Sequence, residues 1–449
     1  MPNIDDFTLP YNLGKAYIKF CYKKYYREYT VVGSEKIPDD CPVIFAPNHL
    51  NAVMDAIAVV SIVKHTTPVV FLARSDIFSS ALARKVLTFI KIMPAFRMVD
   101  GISNLQKNQD TFDKCVEILH RGNSLGIMPE GNQGEQRKLR PIMKGIFRVA
   151  FEAQKKWGQE PKVKIVPIGI DLGNLCKARK HIIINIGKPI EVSDYFCEFE
   201  NDSVRAMNGI REQLRSSLSD LTLDLASKNH YDCFETIIEI TNTAVLNNFG
   251  VHDTPVNRFR ARQWIGKRLV EMEKDSPELI TNLEKDSQVH TQLCNKLGIK
   301  AKTLDEDKNS FTSLIIDASL LCASSLVFLL GLLVNLLAFY SPVVIRKAMK
   351  LEYDGFISSI QFGIGMFTFP IFYSLQGFLI LSSIDCHWGY FPLIVAGQYF
   401  LGTLAYEWYR NWKILCGRVR LLRYENRRDE SLLKLKKLHQ EIVELIIKY

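Results

Sequence analysis

The segment Asn48-His49-Leu50-Asn51-Ala52-Val53-Met54-Asp55 follows directly on the strand-like run VIFAP, and Asp55 opens an apolar helical stretch, AIAVVSIV. A histidine on a strand-to-helix turn with an acid shortly after it is arranged for base catalysis. The carboxylate accepts one imidazole N–H, fixes the tautomer and raises the basicity of the other nitrogen toward a hydroxyl. The same two residues also read as a turn histidine and a helix N-cap, and the pair alone does not choose. In a continuous helix the five intervening residues would put the side chains on different faces, so the interval must contain a turn. Three more pieces follow. Lys91-Ile92-Met93-Pro94-Ala95-Phe96-Arg97 is an apolar segment ending in one arginine. Met128-Pro129-Glu130-Gly131-Asn132 reads as a strand delivering a carboxylate to a tight glycine turn, followed by Arg137, Lys138, Arg140 and Lys144. Val166-Pro167-Ile168-Gly169 is another strand end.

Two rival signals are weaker. Gly122-Asn123-Ser124-Leu125-Gly126 fits the G-x-S-x-G nucleophile elbow, but an elbow runs from strand through turn to helix. Here helix-like DTFDKCVEILHR precedes the serine and strand-like LGIMPE follows it. His230-Tyr231-Asp232-Cys233 has no second ligand pair, so no metal site is expected.

The elements that must position these residues alternate from Tyr29 to about Ile190: YTVVG, VIFAP, VVFLA, LGIM, KIVPIGI and HIIINIG, separated by helical stretches. That alternation implies an α/β sheet. Residues 7–30 interleave aromatics with Lys15, Lys19, Lys23, Lys24 and Arg27, the composition of an interfacial helix or of an amphipathic helix packed on the domain. From about Asp202 to Thr303 the chain turns helical and polar, without a chemical motif.

With 47% hydrophobic residues the chain is rich in apolar side chains, and three long runs carry no charge. They lie between Asp317 and Arg346, between Asp354 and Asp385, and from Trp388 to Tyr406. The first two exceed the ~20 residues that a spanning helix needs. The N-terminus has acidic Asp5 and Asp6 and no apolar signal region, so membrane targeting is assigned to the C-terminal runs. The ten cysteines are scattered singly, with neither a disulfide framework nor a zinc pattern, which fits a reducing cytosol. From Arg410 to Tyr449 there are 11 Lys/Arg against 5 Asp/Glu. Directly after an apolar run, such a tail favours anionic lipid headgroups over nucleic acid, or is simply a solvated helix face. Basic residues follow both the first and the third run. The positive-inside rule then makes the second and third runs a hairpin and has residues 314–345 enter and return, or lie in the interface, with Gly331 or Asn335 near the bend.

In order and spacing, the pieces around His49, Arg97, Glu130 and Pro167 resemble the four sequence blocks of the glycerophospholipid acyltransferase superfamily, which includes the glycerol-3-phosphate and lysophosphatidate acyltransferases. Its blocks are Asn-His, usually four residues, then Asp; a segment ending in Arg; Phe-Pro-Glu-Gly; and a proline between apolar residues. The resemblance covers roughly residues 29 to 190. The sequence departs in two places. Five residues separate His49 from Asp55, as in some fungal-type glycerol-3-phosphate acyltransferases, and Lys91 stands where the family often has glycine.

The resemblance implies a mixed sheet flanked by helices, with a helical extension and C-terminal transmembrane helices added to it. It implies a membrane-bound O-acyltransferase in phospholipid synthesis that esterifies glycerol 3-phosphate or a lysophospholipid such as 1-acylglycerol 3-phosphate. Acyl-CoA or acyl-carrier protein would be the co-substrate, with no cofactor, metal or nucleic acid. By the same resemblance His49 and Asp55 are catalytic, and Asn48, Arg97, Glu130, Gly131 and Lys144 bind substrate. The expected layout is an interfacial helix (1–28), the catalytic domain (29–200), a helical extension and linker (201–310), a membrane region (311–409) and a basic amphipathic C-terminal helix (410–449). The catalytic domain is expected to face the cytoplasm. The alternatives are an inactive lipid-binding protein of the same fold and a serine lipase using Ser124.

Overall fold

The computed structural model describes residues 3–64, 68–95, 105–160, 162–227, 229–306, 310–349, 354–384 and 387–449. Its contacts divide the chain into an α/β unit, Met1–Asp224 with Glu352–Ser359, and a helical unit, Leu225–Leu351 with Ile360–Tyr449.

The α/β unit is built on a sheet of eight strands: β1 (Glu28–Val32), β2 (Val43–Pro47), β3 (Val69–Arg74), β4 (Ile92–Ala95), β5 (Ser124–Gly126), β6 (Lys164–Leu172), β7 (His181–Ile186) and β8 (Ile190–Glu191). Their order is β1-β7-β6-β2-β5-β3-β4, with β8 also on β6. All pairs are parallel except β6 with β7 and β6 with β8, so the sheet is mixed. Six strands coincide with the apolar runs read from the sequence; β4 and β8 do not. β4 is short, carries Pro94 and, among the described residues, pairs with β3 alone, the edge position where a proline is tolerated and the pattern is weakest.

Its helices are α1 (Leu9–Tyr25), α2 (Ala52–Ile62), α3 (Ala81–Phe89), α4 (Leu105–His120), α5 (Gly145–Gln154), α6 (Phe196–Asn201) and α7 (Ser203–Leu221). Every residue of β2 is buried, as for a parallel strand covered on both faces. On one face Ile44, Ala46, Val70 and Leu125 meet Ile118 and Leu119 of α4, Phe147 and Phe151 of α5, and Leu214 and Leu218 of α7 in one core. Phe45, Val69 and Phe71 point to the other face by the two-residue strand period. There α2 buries Met54, Ala58 and Val59. α1 packs on α2: the Tyr22 hydroxyl donates to Met54 O at 2.9 Å, while Lys15 and Lys19 each donate at 2.7 Å to the carbonyls of Lys64 and Val63. Leu9, Leu13, Tyr17 and Phe20 of α1 and Leu82, Val86 and Phe89 of α3 remain exposed.

The helical unit contains α8 (Tyr231–Asn248), α9 (Pro255–Asp275), α10 (Pro277–Leu297), α11 (Ala301–Leu304), α12 (Phe311–Ala323), α13 (Ser325–Ala348), α14 (Ile357–Ile384, whose first residues belong to the α/β unit), α15 (Phe391–Asn426) and α16 (Glu430–Lys448). Among the described residues, α13 and α14 are long and apolar enough to cross a membrane, and 22% of the apolar stretch of each is buried. The bend expected at Gly331 or Asn335 is not there. α13 runs unbroken through both, and the chain is interrupted earlier, at Ser324 between α12 and α13. The reason is packing. A Cβ at Gly331 would meet the Leu401 carbonyl oxygen of α15, so the glycine admits a close helix crossing. Asn335, buried at the same crossing, donates to Gly331 O at 2.9 Å and Gln398 O at 3.1 Å and accepts from the Tyr373 hydroxyl. The tail is two helices: α15 carries the third apolar run on to Asn426, and α16 buries Leu432, Leu435 and Ile442.

Candidate active site

β2 ends at Pro47, α2 begins at Ala52, and the four residues between them form the turn that the spacing required. Asp55 lies in the first turn of α2 and is wholly buried. Its Oδ2 accepts from the backbone N–H of Leu50 at 2.8 Å and of Asn51 at 2.7 Å, and lies 2.9 Å from His49 Nδ1. The other oxygen, Oδ1, is buried with no hydrogen-bond partner among the described residues. The extra residue between His49 and Asp55 is absorbed at Ala52, whose φ of 38° is left-handed. Because a carboxylate only accepts, the Nδ1 nitrogen carries the proton and Nε2 keeps its lone pair. The His49 side chain is 16% exposed.

A second carboxylate supports the turn from below. Glu130 accepts at Oε1 from His49 N–H at 2.9 Å and at Oε2 from Arg140 Nε at 3.0 Å and Arg140 N at 3.2 Å. Arg140 also donates to the carbonyls of His49, at 3.3 Å, and of Gln133. Gly131 has a φ of 72°, which lets the chain double back directly after Glu130. Asn48 turns the other way: its Nδ2 donates to Ile170 O at 3.1 Å and its Oδ1 accepts from Ile170 N at 2.7 Å, tying the end of β2 to β6. The structure thus brings His49, Asp55, Asn48, Glu130 and Gly131 together. Glu130 and Asn48 hydrogen-bond to the protein itself. Lys144 is exposed at the N-cap of α5 and makes no side-chain capping bond there. It stays beside the Glu130 turn because Met143 N donates to Pro129 O at 2.8 Å. Arg97 lies outside the described residues.

Two residues do more here than the sequence signalled. Arg140 is one of four basic residues after the glycine turn, and no sequence signal sets it apart from the others. Lys91 keeps a left-handed φ of 66°, the conformation that a glycine would favour, and its Nζ donates to Asp6 O at 2.8 Å over the Tyr11 ring. Together with Asp5, which pairs with Arg121 at 2.7 Å and with Asn123 at 2.7 Å, it pins the segment before α1 to the sheet edge. Ser124 is buried within β5, preceded by α4, and sits on no strand-turn-helix elbow. His230 pairs with Glu284 at 2.9 Å.

The sequence of residues 28–171 matches the acyltransferase family model. The chain is 30% identical over 118 residues to glycerol-3-phosphate O-acyltransferase 2 of Saccharomyces cerevisiae, covering 26% of this chain and 16% of that protein. To a chloroplastic 1-acyl-sn-glycerol-3-phosphate acyltransferase of Brassica napus it is 26% identical over 190 residues, 40% of this chain and 50% of that one. To the 1-acyl-sn-glycerol-3-phosphate acyltransferase of Borreliella burgdorferi it is 24% identical over 200 residues, 43% and 72% of the two chains. A crystal structure of the 1-acyl-sn-glycerophosphate acyltransferase of Thermotoga maritima aligns at a TM-score of 0.34 and 16% identity, over 46% of this chain and 78% of that one. The first three relatives are thus spanned over only 16% to 50% of their length. The match falls on the segment that carries the His49–Asp55 turn and the Glu130–Gly131 turn, and over that segment the chain is similar to the acyltransferases that esterify glycerol 3-phosphate and 1-acylglycerol 3-phosphate.

Proposed function

We propose that the protein transfers a fatty acyl group from a thioester to a hydroxyl of glycerol 3-phosphate or of a lysophospholipid such as 1-acylglycerol 3-phosphate. The observation that carries this reading is the 2.9 Å contact of His49 Nδ1 with a buried, backbone-anchored Asp55, inside the segment that matches the family. His49 Nε2 takes the proton of the acceptor hydroxyl as that oxygen attacks the thioester carbonyl. The new C–O bond forms, the C–S bond breaks, and the leaving thiolate receives the proton from the imidazolium. No covalent enzyme intermediate is needed, because a thiolate leaves readily. Asp55 holds the imidazole in the required tautomer and offsets its positive charge. Glu130, through Arg140 and the His49 N–H, keeps the turn in place. Arg97 pairs with the acceptor phosphate, and Lys144, beside the amide groups that open α5, adds charge for the same group.

The donor is acyl-CoA or acyl-carrier protein, and the domain faces the cytoplasm, where such donors are made. Membrane attachment is supported by α13 and α14, and by the exposed apolar side chains of α1 and α3 beside the lysines of α1. The test is purified protein with labelled acyl-CoA and acyl-carrier protein offered to a panel of phosphate-bearing acceptors. An ester product is expected from at least one acceptor, and none from His49→Ala. Failure of the unaltered protein on every acceptor, or near-normal turnover by His49→Ala, would overturn the reading.

A further inference from the structure

The turn that carries His49 is held from a place far away in the chain. Asn51, whose N–H donates to Asp55, is itself buried. Its Nδ2 donates to Leu175 O at 3.1 Å, and its Oδ1 accepts from the Ser358 hydroxyl at 2.8 Å, across 307 positions. Ser358 is 2% exposed and is the second residue of α14. It belongs, with residues 352–359, to the α/β unit. The next residue after Asn51 is Ala52, in a left-handed conformation that a side chain disfavours by about 1 kcal/mol. Such a conformation persists only where its surroundings over-determine it.

We propose that Ser358 is a positioning residue for the His49–Asp55 pair, so that the foot of α14 sets the geometry of the base. The polarity of the contact matters. A hydroxyl donating to Oδ1 fixes which end of the Asn51 amide faces Leu175, and the two bonds together lock the side chain. With Asn51 locked, its N–H stays aimed at Asp55 Oδ2, the same oxygen that faces His49. Removal of the hydroxyl leaves a buried carbonyl oxygen unsatisfied. Asn51 then turns to recover a partner, Ala52 relaxes, and the carboxylate loses one of the two backbone donors that orient it. The group that suffers is two residues away, at the imidazole.

The inference rests on His49 being the base, and the experiment separates the two. In the full-length protein, Ser358→Ala is expected to lower kcat about tenfold with both substrate KM values unchanged, since small misplacement of a catalytic group acts on the reacting geometry. Ser358→Thr, which keeps the hydroxyl, should recover most of the rate. Asn51→Ala should lose at least as much as Ser358→Ala, and the double variant no more than Asn51→Ala alone. A merely structural serine would lower the melting temperature and leave kcat per folded molecule intact. That result would overturn the proposal, as would multiplicative losses in the double variant. An inactive His49→Ala beside a fully active Ser358→Ala refutes the positioning role alone. An active His49→Ala refutes the base itself.

Discussion

In the α/β unit the apolar residues of β2 and β6, and Val69, Val70 and Phe71 of β3, are buried. Along α13 the leucines at 326, 329, 333 and 337 face outward, and the buried positions are Gly331, Asn335, Ala338 and Pro342. The amide nitrogens at the centre of the crossing find acceptors within it: Gln398 donates to Tyr373 O at 3.0 Å and Gln376 to Val334 O at 3.0 Å, around Asn335, while the Oε1 atoms of both glutamines are buried without a partner among the described residues. α8, α9, α10 and α16 of the same unit bury their apolar residues in the ordinary way. The outward-facing apolar side chains of this unit lie mainly on its apolar helices, the short α12 among them. It is the distribution expected when the surrounding solvent is hydrocarbon, where a leucine costs nothing outside and a polar group needs a partner inside. The α/β unit differs in burying charged groups, among them Asp55 and Glu130, which hold the turn that carries His49.

The sharpest way to break this comparison is at Asp55. Asp55→Asn places an amide against backbone N–H donors and removes the acceptor that fixes the His49 tautomer. kcat should fall on the order of 10³-fold, read from initial acyl-transfer rates, with membrane retention unchanged. A loss confined to stability would mean that the buried charge of the α/β unit serves packing after all.

The helical unit is tested at Leu333, which is 71% exposed. On a water-facing surface Leu333→Arg would change stability by under about 0.5 kcal/mol. Facing lipid it should cost about 3 kcal/mol of insertion. The expected result is protein lost from the membrane fraction after alkaline extraction, and full retention would reverse the inside-out reading. Next in size is Arg140→Ala, which strips Glu130 of its ion pair and two carbonyls of a donor. It should cost about 2 kcal/mol in chemical denaturation, since bonds to charged groups contribute ~1.5–3 kcal/mol. Activity should fall with it, because His49 N–H shares that carboxylate.

A smaller effect is expected between α10 and α16. His290 of α10 is buried, 3.1 Å from His439, which lies 2.8 Å from Asp305; Cys294 sits 3.7 Å from the other ring nitrogen of His290. Burial, and then His439, push His290 down from 6.5 to about 4. The unfolded chain therefore binds a proton that the folded one refuses. Stability is complete above about pH 6.5 and is lost as the pH falls toward 4. The melting temperature should drop by a few degrees, roughly, between pH 7.5 and 5. The drop should be smaller in His290→Gln, and an equal drop in that variant would remove His290 as its cause.

Much of the site was legible because it is local. His49, Glu130 and Gly131 lie on turns that follow strands, and Asp55 opens the helix after one of them; such places are marked by short apolar runs and by a glycine that can take a positive φ. The need for a turn between His49 and Asp55 followed from helix geometry alone. What was not legible was which partner each group would find. Arg140 was one of four basic residues after the Glu130 turn, and nothing in its spacing separates a surface lysine from the arginine that closes on a buried carboxylate. The bend placed at Gly331 or Asn335 failed because a glycine and a polar residue in an apolar helix are compatible with both a break and a close crossing, and only the neighbouring helix decides.

By itself the sequence determined the element types, the α/β alternation, the family blocks and the three apolar runs, since each depends on side-chain periodicity within a few turns or one strand. The tertiary structure alone decided the strand order, with β1 beside β7 and β6 beside β2, the antiparallel placement of β7, and the arrival of Ser358 on Asn51. These depend on contacts between residues tens to hundreds of positions apart, whose energies come from the complementarity of surfaces that exist only once the chain has folded, and no local pattern encodes them.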